Sequence, residues 1–284
     1  MSVKKVVVIG AGTMGNGIAH VFAWKGYPVR LVDLNQSFLE KAIQTIAANF
    51  DRQIKKGELT ADDKARALSN IATATSIEEG VSDGDLIVEA VNENYELKKS
   101  IFEKADSCAR PEAILASNTS SISITMLAAA TSRPDRVIGM HFMNPVPVMK
   151  LVEVVSALQT SPQTVLTIRQ TAAAIDKIPV EVRDYPGFVS NRVLMPMINE
   201  AIQCVYEGVA TPEAIDQVMK LGMNHPMGPL ALADLIGLDV CLAIMTVLYE
   251  GFNDSKYRPC PLLKKKVAAG QLGRKAGQGF YAYA

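Results

Sequence analysis

The pattern of apolar and polar positions divides the chain into two halves of different period. In the first half, short apolar runs alternate with longer amphipathic stretches. Val6 to Ile9 is β-branched throughout, which suits a strand buried on both faces of a parallel sheet. Ile18, Val21 and Phe22 follow the i, i+3, i+4 spacing of a helix that stops at Gly26. Val29 to Val32 predicts a second strand, and a long helix is expected from Phe38 to about Lys56, ending at Gly57. Thr60 is placed to cap a further helix over residues 61–68. More strands are expected at residues 71–75, 86–90, 114–117, 137–142 and 151–155, with helices at 97–109 and 122–130. This order predicts a doubly wound, mostly parallel α/β sheet with ligands outside the carboxyl ends of its strands.

Beyond Asp184-Tyr185-Pro186-Gly187 the period becomes helical throughout: Phe188 to Tyr206, Pro212 to Leu221, Leu230 to Tyr249 and Leu262 to Ala269. The Pro-Gly break predicts two domains, residues 1–185 and an all-helical 186–284. The stretch from Pro229 to Tyr249 is apolar around most of its circumference. It reads as a subunit interface, making a homodimer, or as a central core helix.

The first strand falls directly into Gly10-Ala11-Gly12-Thr13-Met14-Gly15. Gly10 permits a tight turn, Gly12 has no side chain to keep a pyrophosphate from the backbone, and Gly15 lets the next helix pack closely. The helix start then offers unpaired N–H groups and a positive dipole end to phosphates. Asp33 closes the second strand, where a carboxylate accepts hydrogen bonds from the adenosine ribose. It would repel a 2′-phosphate, and Leu34-Asn35-Gln36 supplies no arginine to receive one. A Rossmann-like domain binding NAD in preference to NADP is the expectation. A bare turn with a surface aspartate is the alternative.

Composition narrows the partners. The chain has 284 residues, 29 basic and 29 acidic, with 49% hydrophobic residues. Zero net charge argues against nucleic acid as the main partner. Cys108, Cys204, Cys241 and Cys260 are far apart, which argues against a metal site or disulfide framework and suits a reducing compartment. The apolar N-terminal run is short and reads as the first strand, and Asp234 and Asp239 break the longest apolar stretch. No membrane span and a cytoplasmic location are therefore expected.

Of three histidines, His20 and His225 read as structural. His141 stands near the end of a strand, where this fold places its active site. Glu153 interrupts the apolar run Leu151-Val152-Glu153-Val154-Val155, and a carboxylate there is costly unless paired. If the two strands are neighbours, Glu153 can fix the imidazole tautomer and stabilise the imidazolium. A core histidine satisfied by a backbone carbonyl is the competing reading. Ala116-Ser117-Asn118-Thr119-Ser120-Ser121 clusters polar groups after a strand, for substrate binding or for capping the next helix. Asn191 reads as a buried amide or, again, a cap.

Together, the glycine turn, residues 116–121, His141-Phe142-Met143-Asn144-Pro145-Val146-Pro147, Lys150 to Val154 and Pro186-Gly187-Phe188-Val189-Ser190-Asn191-Arg192 resemble the 3-hydroxyacyl-CoA dehydrogenase family, above all its monofunctional bacterial short-chain members. The similarity extends to the closing Gly277-Gln278-Gly279-Phe280-Tyr281. It implies hydride transfer between NAD and C3 of a short acyl-CoA, such as 3-hydroxybutyryl-CoA and acetoacetyl-CoA. His141 would be the general base, Glu153 its orienting partner, and Ser120 and Asn191 would bind and polarise substrate oxygens. The resemblance places Glu93, Lys98, Asn144 and Lys275 near the nicotinamide half of NAD. Lys56, with Arg52 one turn earlier, would meet the coenzyme A moiety; both are otherwise ordinary solvated helix residues. A hydroxyacid or sugar-acid dehydrogenase on the same scaffold, and a non-catalytic NAD-binding protein, are the other readings.

Overall fold

A computed structural model describes residues 2–283 and divides them into two compact units that part between Asp184 and Tyr185. The first contains β1 (Val6–Ile9), α1 (Thr13–Trp24), β2 (Val29–Val32), α2 (Gln36–Lys55), α3 (Ala61–Ser69), β3 (Ile71–Ala74), α4 (Ile77–Val81), β4 (Leu86–Glu89), α5 (Tyr95–Cys108), β5 (Ile114–Ser117), α6 (Ile124–Ala129), β6 (Val137–Phe142), β7 (Leu151–Ser156), α7 (Pro162–Ala174) and β8 (Ile178–Arg183). The strands form one sheet in the order β3-β2-β1-β4-β5-β6-β7-β8. All neighbours are parallel except β6 and β7. Because β1 lies between β2 and β4, the chain reverses its direction of travel across the sheet there, and the crevice at that switch point is where such sheets take ligands.

Local chemistry sets these elements. The strands β1, β4 and β5 are buried along their whole length, as parallel strands covered on both faces must be. Thr60 caps α3 in a reciprocal box with Asp63. The helix expected from residue 122 begins at Ile124, because the cap is Ser123 and not a residue of the 116–121 cluster. Helix α7 and strand β8 lie in a stretch whose mixed pattern gave no expectation of either.

The second unit is helical: α8 (Ser190–Tyr206), α9 (Pro212–Gly222), α10 (Pro229–Ile236), α11 (Leu238–Phe252) and α12 (Pro261–Ala268). The single helix expected over Leu230 to Tyr249 is two helices bent by 98°. Gly237 breaks it with φ +104°, outside the helical region and open to glycine. Leu230, Ala233, Cys241, Met245 and Leu248 from the two pieces are buried in one apolar cluster. Among the described residues no single helix is long and apolar enough to cross a membrane; the bent pair meets that test only by length and composition.

Two buried carboxylates pin the end of this unit. Asp234 accepts the N–H groups of Phe280 and Tyr281, at 3.0 and 2.9 Å, and the Tyr283 hydroxyl. Asp216 accepts the N–H groups of Leu230 and Ala231 and the Tyr281 hydroxyl. A Cβ on Gly279 would stand 2.0 Å from Asp234 Oδ1, so the closing glycine follows from this contact.

Candidate active site

The glycine turn is built as its spacing predicts. Gly10 has φ +102°, and a Cβ there would meet the Ala90 carbonyl oxygen at 2.7 Å. A Cβ on Gly15 would lie 1.8 Å from the Gly10 carbonyl oxygen, whereas one on Gly12 would meet nothing within 4 Å. The first and third glycines thus serve packing, and the second leaves open space wide enough for a ligand to approach the backbone. No side chain caps α1, so its first N–H groups, headed by those of Thr13 and Met14, suit a phosphate. Asp33 Oδ2 accepts the Ala11 N–H at 2.9 Å, and Oδ1 accepts the Asn35 N–H at 3.1 Å. The carboxylate that closes β2 is therefore an anchor of the glycine turn.

At the carboxyl ends of β4 and β5 lies a charged network of which the sequence reading caught only part. Glu89 and Lys98 are both about 1% exposed and form an ion pair of 2.6 Å. Glu89 also accepts the Ser117 hydroxyl at 2.7 Å and the Val91 N–H at 2.7 Å. Glu93 Oε2 lies 3.4 Å from Lys98 Nζ. Its Oε1 accepts the Thr119 hydroxyl at 2.5 Å, the Ser121 hydroxyl at 2.8 Å, and the N–H groups of Ser120 and Ser121, each at 3.0 Å. Burial would push the Glu93 carboxyl up, but the Lys98 charge and these donors outweigh it and hold the carboxyl below its ordinary value. Residues 117–121 are thus organised by two carboxylates. Glu89 carries the same signal as Glu153, a carboxylate at a buried strand.

His141 and Glu153 are direct partners in the antiparallel β6–β7 register. Nδ1 of the imidazole lies 2.8 Å from Glu153 Oε2, with both residues buried. Asn118 ties this edge to β5, its side-chain oxygen accepting the Phe142 N–H at 2.9 Å. The strands are joined by the turn of residues 143–150, which carries Asn144.

That turn walls two cavities of about 410 Å³ each, both also lined by Asn49 of α2. One reaches Gly12, Thr13, Asn16, Lys41 and Asn144. The other is lined by Arg52, Gln53 and Lys56. Asn49 was not anticipated, because a lone amide on an amphipathic helix carries no sequence signal. His20 is a packing residue, stacked on Phe50 with ring centroids 4.0 Å apart and bonded to Gln53 at 3.0 Å. Burial lowers its pKa to about 4 against the opposing Gln53 bond.

The remaining two candidates belong to the helical unit. Asn191 is buried in the first turn of α8. Lys275 follows α12 and pairs with Asp239 at 2.6 Å, an arrangement inside that unit.

A mostly parallel sheet with an open glycine turn, an acid closing β2 and a buried histidine–carboxylate pair on β6 and β7 defines a dinucleotide-dependent oxidoreductase. The chain belongs to the 3-hydroxyacyl-CoA dehydrogenase family: the NAD binding domain of that family matches residues 5–185 and its C-terminal domain residues 187–283. NAD is its cofactor, and the open approach at Gly12 fits it. A probable 3-hydroxybutyryl-CoA dehydrogenase of Bacillus subtilis is 56% identical, covering 100% of this chain and 98% of the relative. The human mitochondrial hydroxyacyl-coenzyme A dehydrogenase is 44% identical over 99% of this chain and 91% of its own length. The crystal structure of (S)-3-hydroxybutyryl-CoA dehydrogenase from Ralstonia eutropha superposes with a TM-score of 0.97, at 53% identity and full coverage of both chains.

Proposed function

We propose that this enzyme interconverts (S)-3-hydroxybutyryl-CoA and acetoacetyl-CoA, with His141 and Glu153 as the proton-transfer pair. The observation that carries the reading is the 2.8 Å contact between His141 Nδ1 and Glu153 Oε2 on adjacent strands. NAD supplies the hydride acceptor, or in reduced form the donor. In oxidation, His141 takes the proton of the 3-hydroxyl through Nε2, and Glu153 stabilises the imidazolium that results. In reduction the protonated imidazole returns that proton to the forming alkoxide. A placed histidine contributes roughly 10²–10⁴-fold of rate; orientation and polarisation supply the rest.

Ser120, Asn191 and Asn144 are assigned to substrate and nicotinamide positions on the motif resemblance. Glu93 supports the Ser120 assignment, since it holds that residue's N–H and reaches its hydroxyl at 3.4 Å. Lys98, enclosed by carboxylates, acts on the cofactor site through Glu93. Lys275 completes the set. The second cavity, lined by Arg52 of α2 and Lys56 just after it, offers coenzyme A two cations in a chain of zero net charge. The helical unit carries strongly exposed apolar side chains, Leu221 at 84% and Val209 at 69% among them, which favours a homodimer formed through residues 186–284. A cytoplasmic location fits these ligands.

The deciding assay measures acetoacetyl-CoA with NADH, with NADPH in its place, and with free acetoacetate as substrate. Turnover of the thioester with preference for NADH is expected. Equal turnover of the free acid would sink the coenzyme A reading.

A further inference from the structure

Lys177, immediately before β8, is 7% exposed. Its ammonium donates to the Val146 carbonyl at 2.5 Å and to the Met149 carbonyl at 2.8 Å. No ion pair joins it to a carboxylate among the described residues; Asp176, its neighbour, pairs with Lys25. Taking an ammonium out of water is costly unless its donors are well used, and here both known acceptors are carbonyls of a single turn. Val146 also packs closely on α1, where a Cβ on Gly17 would come within 2.9 Å of the Val146 Cβ. Within the turn, the N–H groups of Val148 and Met149 both donate to the Pro145 carbonyl at 3.0 Å. The turn is therefore clamped through its backbone, and its residues Asn144, Pro145, Val146, Pro147 and Val148 wall the two cavities.

We propose that Lys177 is a positioning residue for ligand binding: by holding the carbonyls of Val146 and Met149 it fixes the wall shared by both cavities, and touches neither ligand itself. This rests on the reading that those cavities take the acyl-CoA and border the NAD site. Lys177 lies outside the motifs that identify the family, and its position at a strand start gives no hint of the turn that it reaches.

The test replaces Lys177→Met, which keeps the chain length and removes the donors, and Lys177→Gln, which keeps an amide donor without the charge. Dissociation constants for free coenzyme A and for NADH are measured by titration on each folded variant, beside kcat and KM for acetoacetyl-CoA. Loss of two charge-assisted bonds should raise the coenzyme A Kd and the acetoacetyl-CoA KM about tenfold in the methionine variant. The glutamine variant should fall between it and the unaltered enzyme, with kcat in both within about threefold of the unaltered value, since no reacting group is moved. A folded methionine variant with unaltered Kd for both ligands overturns the clamp. So does a loss confined to kcat or to thermal stability. Should the methionine variant not fold, the glutamine variant with unaltered Kd values is equally decisive. If the unaltered enzyme itself binds no coenzyme A, the substrate reading has failed; the clamp is then judged on NADH alone, and an unchanged NADH Kd refutes it.

Discussion

His141 and Glu153 face each other across the one antiparallel pairing in an otherwise parallel sheet, imidazole Nδ1 to carboxylate at 2.8 Å. The reversal places the two side chains on the same face as a cross-strand pair, twelve residues apart in sequence. Replacing His141→Gln should lower kcat by about 10³-fold and Glu153→Gln by about 10²-fold, while NADH still binds. Because the two act as a unit, the double variant should be little worse than His141→Gln alone. Steady-state kinetics with an NADH titration measures both, and additive losses would contradict the pairing.

On the reading that Asp33 meets the adenosine ribose as well as anchoring the glycine turn, its replacement should have two consequences. Asp33→Ser removes the charge that would meet a 2′-phosphate, and the KM ratio of NADPH to NADH should fall by at least about tenfold. It also deprives the Ala11 N–H of its acceptor, so NADH binding should weaken as well. An unchanged cofactor ratio would show that discrimination lies elsewhere.

The Glu89–Lys98 pair is buried on both sides. Lys98→Met leaves a carboxylate without its cation and should cost about 3–5 kcal/mol in urea unfolding. Glu89→Gln combined with Lys98→Met should recover most of that loss, since the fully buried Glu89 charge is removed together with its partner. Glu93 would feel the single change too. Its folded-state pKa is depressed, so its stability contribution is present above the ordinary carboxylate value and lost as pH falls through the folded value. Without Lys98 that loss should begin at higher pH. Equal stability of the single and double variants would argue against the pair.

His20 should make the first unit acid-sensitive. Its folded pKa, about 4, lies below the unfolded value of 6.5, so the unfolded chain binds the extra proton between those limits. Stability is full above about 6.5, falls as pH drops towards 4, and should be lower by about 2 kcal/mol near pH 5. His20→Phe, which keeps the stack on Phe50, should remove that component. Parallel unfolding curves at all pH values for both proteins would refute it.

Much of the site was legible where a local rule was broken visibly. The glycine spacing states a steric demand that the fold then meets at Gly10 and Gly15. Glu153 stood out because a carboxylate in a buried strand needs a partner, although the partner could be named only if the strands were adjacent. Glu89 broke the same rule at a strand end and passed unnoticed. The bend at Gly237 was hidden because an apolar run reads the same through a continuous helix and through two.

By itself, the sequence determined the α/β alternation, the switch to helices after Asp184, the dinucleotide turn and the family, since period, glycine spacing and motif order are properties of consecutive residues. Tertiary structure alone decided that β7 runs against β6, that Glu89, Lys98 and Glu93 converge on residues 117–121, and that Lys177 reaches back to the turn at Val146. Those relationships join residues far apart in the chain through sheet order and burial. Burial is what makes each charge seek its partner, and no local pattern records which partner the fold will bring.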